Sequence, residues 1–488
     1  MAKLNLEEQL TYDDVLVELQ YTDVDPYAPE VKTFLTKDIR LNMPIVSSPM
    51  DKVTGKDLCI AMAQNGGIGI LHRNYTAEEQ VAIIEEIKKH EGYIITKPIT
   101  VTPEMTIGDV RKLIKEHNLP FNTFPVIDEN EHLLGILTNT DYYLDPDSSF
   151  VKDRMSTTVE TITPIDSKNR EKVREQLREK KKKRLMVTDE QKTLFGLITG
   201  KDFVLRDKYP NATRDNQGRL MVGVAIGVGE KEIERAGMLY GANADLIVID
   251  ISHGHCKNEI DTIKAIKKDY PNLRLVAGNV ATVQGVEDLF SAGADAMRIG
   301  FGAGSTCTTR IVLGHGVPQF HAVKVCSEKA HELGIYTMAD GGIKQYGDMA
   351  KALAYADTVM LGNLLAGVQE APGRKVLMNG RTYKEFRGMG SIGAAKERAG
   401  GALSRYEAQP QNFVAQGIDG VVDYKGPLEN VLNDMVNAIK YSLATSGAKN
   451  LPEYREKAII NRVSRNSAAE SHPSIMMTEQ PPNYLGRS

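Results

Sequence analysis

The chain has 488 residues, room for two or three domains, and 41% of them are apolar, enough to bury a sizeable core. Its 60 basic and 64 acidic residues leave a formal net charge of −4, which argues against a general nucleic-acid or membrane-surface binder. Four cysteines (Cys59, Cys256, Cys307, Cys326), none in a C-x-x-C pair, exclude a disulfide framework and speak against structural zinc.

The first residues, MAKLNLEEQLTYDD, hold no apolar run of signal-peptide type, and no later stretch is long enough to span a bilayer. A soluble, cytoplasmic protein with no membrane and no specific nucleic-acid partner is expected. Short apolar runs then alternate with helical stretches. Strands are predicted at 44–48 (PIVSS) and 67–71 (GIGIL), with helices at 53–64 and 76–90. After a long break, strands follow at 220–226, 246–250, 273–278, 296–300, 336–340 and 359–362, with helices such as 256–269 and 318–333. Near-continuous apolar strands suit a parallel sheet buried on both faces. Eight βα units imply a closed (β/α)₈ TIM barrel, with an open doubly wound sheet as the alternative. Polar and glycine residues cluster where the strands end, at Ser48, Asp250, Asn279, Gly300, Asp340 and Gly362. Barrel active sites lie at that end, which favours the barrel.

The break, 93–208, is an internal repeat. Its first half carries PITVT at 98–102, FPVID at 124–128 and GILTNTD at 135–141; its second carries VETIT at 159–163, RLMVT at 184–188 and GLITGKD at 196–202. Each half reads as strand–helix–strand–strand–helix and would expose an apolar sheet face alone, so the two are expected to pack as a pair. They resemble CBS motifs, tandem modules that often bind adenine or guanine nucleotides. By that resemblance Thr138 with Asp141 and Thr199 with Asp202 hold ribose hydroxyls. The run at 180–184 (KKKKR) reads as a solvated helix face, with phosphate contact as the alternative. The chain thus divides into barrel at 1–92, a tandem CBS (Bateman) insert at 93–208 and barrel again at 209–488. The glycine-rich stretch 374–428 is a candidate mobile lid.

The central motif is GFGAGSTCTTR at 300–310, directly after the sixth strand. Glycines let the backbone turn and present carbonyls and N–H groups to a ligand or ion. Cys307 sits at the tip, with Arg310 nearby to favour the nucleophilic thiolate.

This loop resembles the catalytic cysteine loop of the IMP dehydrogenase / GMP reductase family. Further matches run in order along nearly the whole chain: IVSSPMD at 45–51, GGIGILH at 66–72, VIDISHGH at 248–255, AGNV at 277–280, ADGG at 339–342 and RGMGS at 387–391. The resemblance implies that Cys307 attacks C2 of IMP, hydride leaves to NAD, and water hydrolyses the covalent intermediate to XMP. Catalysis would use Cys307, Thr309 and the lid pair Arg405 and Tyr406. Substrate would meet Ser48, Met50, Ser305, Asp340, Gly342, Gly362, Asn363, Met389, Gly390 and Gln416. NAD would meet Asp250, Ser252, His253, Asn279, Arg298, Gly300 and Gly302. A potassium ion would lie on carbonyls of Gly302, Gly304 and Cys307, completed by Glu470 of a neighbouring subunit. A homotetramer, or an octamer of two, is implied, with purine nucleotides at the insert.

Other readings stand beside this one. GMGSIG at 388–393 fits the dinucleotide fingerprint G-x-G-x-x-G, but it follows the charged stretch 381–387 rather than a buried strand, so it is rejected. His253 and His255 suit a loop beside NAD better than a metal pair with no third ligand. Phe386 stands where many family dehydrogenases carry a phosphate-binding tyrosine. GMP reductase is the second reading; reductases place an acidic partner near 369, and here Gln369 precedes Glu370. A catalytically silent nucleotide sensor is the third.

Overall fold

The computed structural model describes residues 4, 6–90, 95, 98–117, 119, 121–180, 183–397 and 412–475. Eight parallel strands close a barrel: β1 (Ile45–Ser47), β2 (Ile68–Leu71), β3 (Gly223–Ile226), β4 (Leu246–Ile249), β5 (Leu275–Val280), β6 (Ala296–Ile299), β7 (Tyr336–Asp340) and β8 (Thr358–Leu361). The order is β3-β4-β5-β6-β7-β8-β1-β2, and pairing of Gly223 with Ile70 closes the ring. The predicted parallel barrel is found with all eight strands, each near its expected place. Val46, Ile68, Ile70, Val248, Val276, Met338 and Met360 share one buried cluster, so the barrel is a packed core and not a pore.

Helices α1 (Lys56–Gln64), α2 (Ala77–His90), α3 (Glu230–Gly241), α4 (Lys257–Asp269), α5 (Val283–Ala292), α6 (Gln319–Glu332), α7 (Tyr346–Leu353) and α8 (Leu428–Thr445) surround it. Their ends follow local chemistry. In α2, Glu78 and Glu79 open the helix and Lys88, Lys89 and His90 close it, complementing the helix dipole. In α5 the Thr282 hydroxyl accepts from the Gly285 N–H at 3.2 Å, and Gly293 ends the helix at φ 114°.

Between β8 and α8 lies an antiparallel ribbon of β9 (Lys375–Met378), β10 (Arg381–Arg387) and β11 (Asp419–Asp423). The charged stretch 381–387 forms a strand that is exposed at its start and buried only toward Arg387. The fingerprint GMGSIG does follow a strand, but one in an antiparallel ribbon outside the parallel sheet. The ammonium of Lys384 is buried and donates to the carbonyls of Val368 (2.9 Å), Gln369 (3.3 Å) and Ala371.

Barrel, helices and ribbon fall in one compact unit, Met1–His90, Asn211–Asp215 and Leu220–Ser488; a second comprises Glu91–Pro210 and Asn216–Arg219. In the second, helix Ile107–Glu116 and strands Thr123–Ile127 and Leu133–Thr138 answer to helix Arg170–Glu179 and strands Arg184–Thr188 and Leu194–Thr199. The strand expected at 98–102 shrinks to one bridge, Val101 with Val126. Pro98 lacks an N–H to extend it. Leu133 from the first half packs with Met186 and Leu197 from the second. The helix before the lysine run ends at Glu179 with Lys180 as its cap, so Lys180 is not part of a helix face; Lys181 and Lys182 lie outside the described residues. Among the described residues no helix is long and apolar enough to cross a membrane.

Candidate active site

The loop after β6 leaves the barrel through Gly300, whose φ is +146°. A Cβ there would stand 2.1 Å from the Asp340 carbonyl oxygen, so only glycine lets the loops after β6 and β7 pass this closely. Cys307 follows, half-buried, with its Sγ 3.0 Å from the Thr309 Oγ1. Thr309 donates its hydroxyl to Gln416 Oε1 at 3.0 Å, which leaves an Oγ1 lone pair facing the thiol.

The ribbon holds this loop in place. Gln416 O accepts from the Thr308 N–H at 2.9 Å, Thr306 O accepts from the Ile418 N–H at 3.0 Å, and Gly390 O accepts from the Gln416 N–H at 2.9 Å. Three chain segments, 306–308, 416–418 and 388–390, thus lie side by side. Arg310 stays within electrostatic reach of Cys307 and also braces the loop. Its guanidinium donates to the carbonyls of Phe301 (3.1 Å) and Val317, clamping the two ends of the loop.

On the opposite wall Arg298 is 3% exposed and lies between two carboxylates. Its Nη1 donates to Asp250 Oδ1 at 2.7 Å and its Nε to Asp340 Oδ2 at 2.9 Å. Burial opposes its charge, but Asp340 and Asp250 together raise its pKa. Asn279 Nδ2 adds a second donor to Asp340 Oδ2 at 2.9 Å.

One pocket at the C-terminal ends of the strands gathers Ser48, Met50, Ser252, Asn279, Arg298, Gly300, Gly302 and Gly304. Cys307, Thr309, Asp340, Met389, Gly390 and Gln416 complete the predicted residues that line it. Asp250 does not line it; it is buried behind Arg298, with Arg73 at 3.9 Å on its other side. His253 sets its ring edge-on to Phe301 at 6.0 Å. Burial, with His255 and His315, holds that imidazole below its ordinary pKa. His255 bonds Asp288 at 2.7 Å.

Ser305 is exposed on the loop, while Gly362 lies against Met50, where a Cβ would stand 3.0 Å from its sulfur. Gly342 turns at φ +75° beside Gln319, and Asn363 opens the short helix Asn363–Ala366. Arg405 and Tyr406 lie outside the described residues. Glu470 is exposed at the end of helix Arg465–Glu470.

A family model described as "IMP dehydrogenase / GMP reductase domain" matches residues 9–474. The chain belongs to this family. It is 43% identical over 490 residues to an inosine-5'-monophosphate dehydrogenase of Aquifex aeolicus, with 98% of each chain covered. The corresponding enzyme of Escherichia coli is 39% identical over 481 residues, again covering 98% of both. A crystal structure of GMP reductase from Trypanosoma brucei in complex with guanosine 5'-monophosphate is similar with a TM-score of 0.87 at 35% identity, covering 97% of this chain and 99% of that one.

Gln369 and Glu370, on which the reductase reading turns, make contacts within the fold. Glu370 accepts from the Leu428 N–H at 2.9 Å and caps α8, and Gln369 accepts from the Tyr424 hydroxyl at 3.2 Å. Neither lines the pocket. Sequence reasoning missed Phe301, Ala303, Thr306, Gly341 and Gly388, which do line it. All five belong to motifs already singled out, so their spacing was a usable signal. In the second unit, Thr138 and Asp141 bond each other: the Thr138 hydroxyl donates to Asp141 at 2.7 Å, in a capping box on the short helix Asn139–Tyr142. Thr199 ends strand Leu194–Thr199, and the Asp202 side chain lies outside the described residues.

Proposed function

We propose that this protein is an NAD-dependent IMP dehydrogenase, oxidising IMP to XMP through a covalent bond to Cys307. The observation that carries the reading is the pocket itself. It sets one half-buried cysteine, with a hydroxyl acceptor at 3.0 Å, across from a carboxylate fixed by two donors. Asp340 accepts the ribose hydroxyls of the nucleotide; Ser48 and Met50 border its ribose and base. Met389, Gly390 and Gln416 read the purine edge. Ser305, Gly342, Gly362 and Asn363 offer hydroxyl, amide and backbone donors to the phosphate, at the loops where barrels often hold one.

The Cys307 thiol, oriented by its hydrogen bond to Thr309, loses its proton to solvent, and the thiolate Sγ adds to purine C2. NAD bound beside that carbon would supply the acceptor for the hydride lost from C2. Ser252, His253, Asn279, Arg298, Gly300 and Gly302 would hold it, with Asp250 acting through Arg298. Water then adds at C2 and Cys307 leaves as the thiol, giving XMP. By resemblance Arg405 and Tyr406 activate that water, carried by the lid 374–428. The loop also fits a potassium ion. Its carbonyls at Gly302, Gly304 and Cys307 are hard oxygen donors on a glycine-rich turn, with Glu470 of a neighbouring copy completing the site. The reductase reading is weaker because Glu370, the acid of the relevant stretch, caps α8.

The insert 93–208 is proposed as a tandem CBS pair. It binds purine nucleotides near Thr138 and Asp141, and near Thr199 and Asp202, within a homotetramer or octamer. The primary test mixes the protein with IMP, NAD and potassium and follows NADH absorbance, beside a second reaction with GMP and NADPH. NADH formation that disappears in Cys307→Ala supports the reading. NADPH consumption instead makes the protein a reductase.

A further inference from the structure

Glu259 lies in the first turn of α4 and is fully buried, in a position no substrate reaches. Its Oε1 accepts from the Gly278 N–H at 2.7 Å, at the end of β5. Its Oε2 is buried with no hydrogen-bond partner. The packing is close: a Cβ on Gly254 would stand 2.8 Å from Oε2 and 2.9 Å from the Gly278 backbone. The residue after Gly278 is Asn279, held from the other side as its carbonyl accepts from the Gly254 N–H at 2.8 Å. Asn279 in turn donates to Asp340 at 2.9 Å inside the pocket.

We infer that Glu259 is a positioning residue: it pins the Gly278–Asn279 turn so that Asn279 reaches Asp340 and sets the ribose end of the nucleotide site. Without an acceptor there, the Gly278 N–H would be buried and unsatisfied, and the turn would move to find a partner. A neutral acceptor suits this place best. Asp250 and Asp340 already share the guanidinium of Arg298, and a third buried carboxylate would compete for it. Burial pushes the Glu259 carboxyl well above the usual carboxylate range, and Asp250 adds to this; the Gly278 N–H and Arg298 pull the other way without restoring it. Glutamine at 259 is then a near-isostere with the same acceptor, whereas methionine keeps the volume and loses it.

The inference rests on the reading of Asp340 as the ribose acceptor, so that reading is measured separately. Steady-state kinetics are compared for the parent, Glu259→Gln, Glu259→Met and Asp340→Ala, with thermal melts of each. Glu259→Met is expected to raise KM for IMP about tenfold, with kcat changed far less and a smaller rise in KM for NAD, which Asn279 also borders, and Glu259→Gln to restore the parental KM values. Should Glu259→Met fail to fold, Glu259→Asp takes its place, since it retracts the acceptor by one methylene and is expected to raise KM for IMP in the same selective way. Unchanged KM for IMP in folded Met or Asp variants overturns the inference, as does a Gln variant as impaired as Met, or a loss confined to NAD. If Asp340→Ala binds IMP like the parent, the ribose assignment fails whatever Glu259 does.

Discussion

The Thr309 hydroxyl stands 3.0 Å from the Cys307 sulfur with its own proton committed to Gln416. Threonine here is an acceptor for the thiol proton and a guide for the sulfur, and its two neighbours determine that direction. Thr309→Val keeps the shape and deletes the acceptor. It is expected to lower kcat for NADH formation about ten- to a hundredfold while leaving IMP binding near the parental value. Stopped-flow measurement of the first turnover checks this, since the loss belongs to the covalent step and should slow the burst.

The same cysteine should be selectively reactive. Cys59 and Cys326 are both fully buried; burial raises the Cys59 thiol pKa, and that of Cys326 is pushed up to about 12. Iodoacetamide at neutral pH is expected to label Cys307 first, with half-buried Cys256 slower and the other two silent. IMP should protect Cys307 alone. Peptide mapping by mass spectrometry checks it, and equal labelling with and without IMP would count against Cys307 as the nucleophile.

Arg298 is the one buried cation joining Asp250 and Asp340 in the described pocket wall. Arg298→Met would remove the guanidinium that both carboxylates share, leaving Asp250 to Arg73 and Asp340 to Asn279. Breaking such a group by removing one partner costs about 3–5 kcal/mol. Urea unfolding should show a loss of that order, and KM for both IMP and NAD should rise. A stable variant with parental KM values would show that the ion pairs are incidental.

The barrel was legible because strands buried on both faces must be apolar throughout, and because chemistry collects where they end. Ser48, Asn279, Gly300 and Asp340 could be placed in one pocket from that rule alone. The insert's repeat was legible for a similar reason, since its two halves carry the same pattern of strand ends. What stayed hidden depends on contacts between distant segments. Nothing local to Cys307 shows that 306–308 pairs with 416–418, more than a hundred positions away, because the hydrogen bonds there are backbone to backbone. Glu259 reads as one more charge on an amphipathic helix, and only packing against Gly254 and Gly278 shows it to be internal. Nearness in sequence likewise does not say where Arg310 directs its donors, which go to the carbonyls of Phe301 and Val317.

Removing residues 93–208 should separate catalysis from control. The barrel unit holds every described residue of the pocket, so the shortened chain is expected to oxidise IMP at a similar rate. It should also lose any response to ATP or GTP. Rates with and without each nucleotide, with light scattering for the assembly, check both points. Nucleotide sensitivity surviving the deletion would place the regulatory site elsewhere.

Lys425 gives the ribbon a pH signature. Its ammonium donates to the Leu364 carbonyl at 3.0 Å, and burial lowers its pKa from 10.5 to about 8, with Asp423 only partly offsetting this. The unfolded chain therefore binds more protons than the folded one between about pH 8 and 10.5, so this residue adds stability as pH rises through that window. Below it, holding the buried ammonium costs about 2 kcal/mol once partial screening by solvent is allowed for. Lys425→Met removes the titration. Urea midpoints at pH 7 and pH 10 should show the parent gaining on the variant by roughly that amount at the higher pH. A constant difference across the range would mean that Lys425 keeps an ordinary pKa and that its bond to Leu364, not its charge, is what anchors the ribbon.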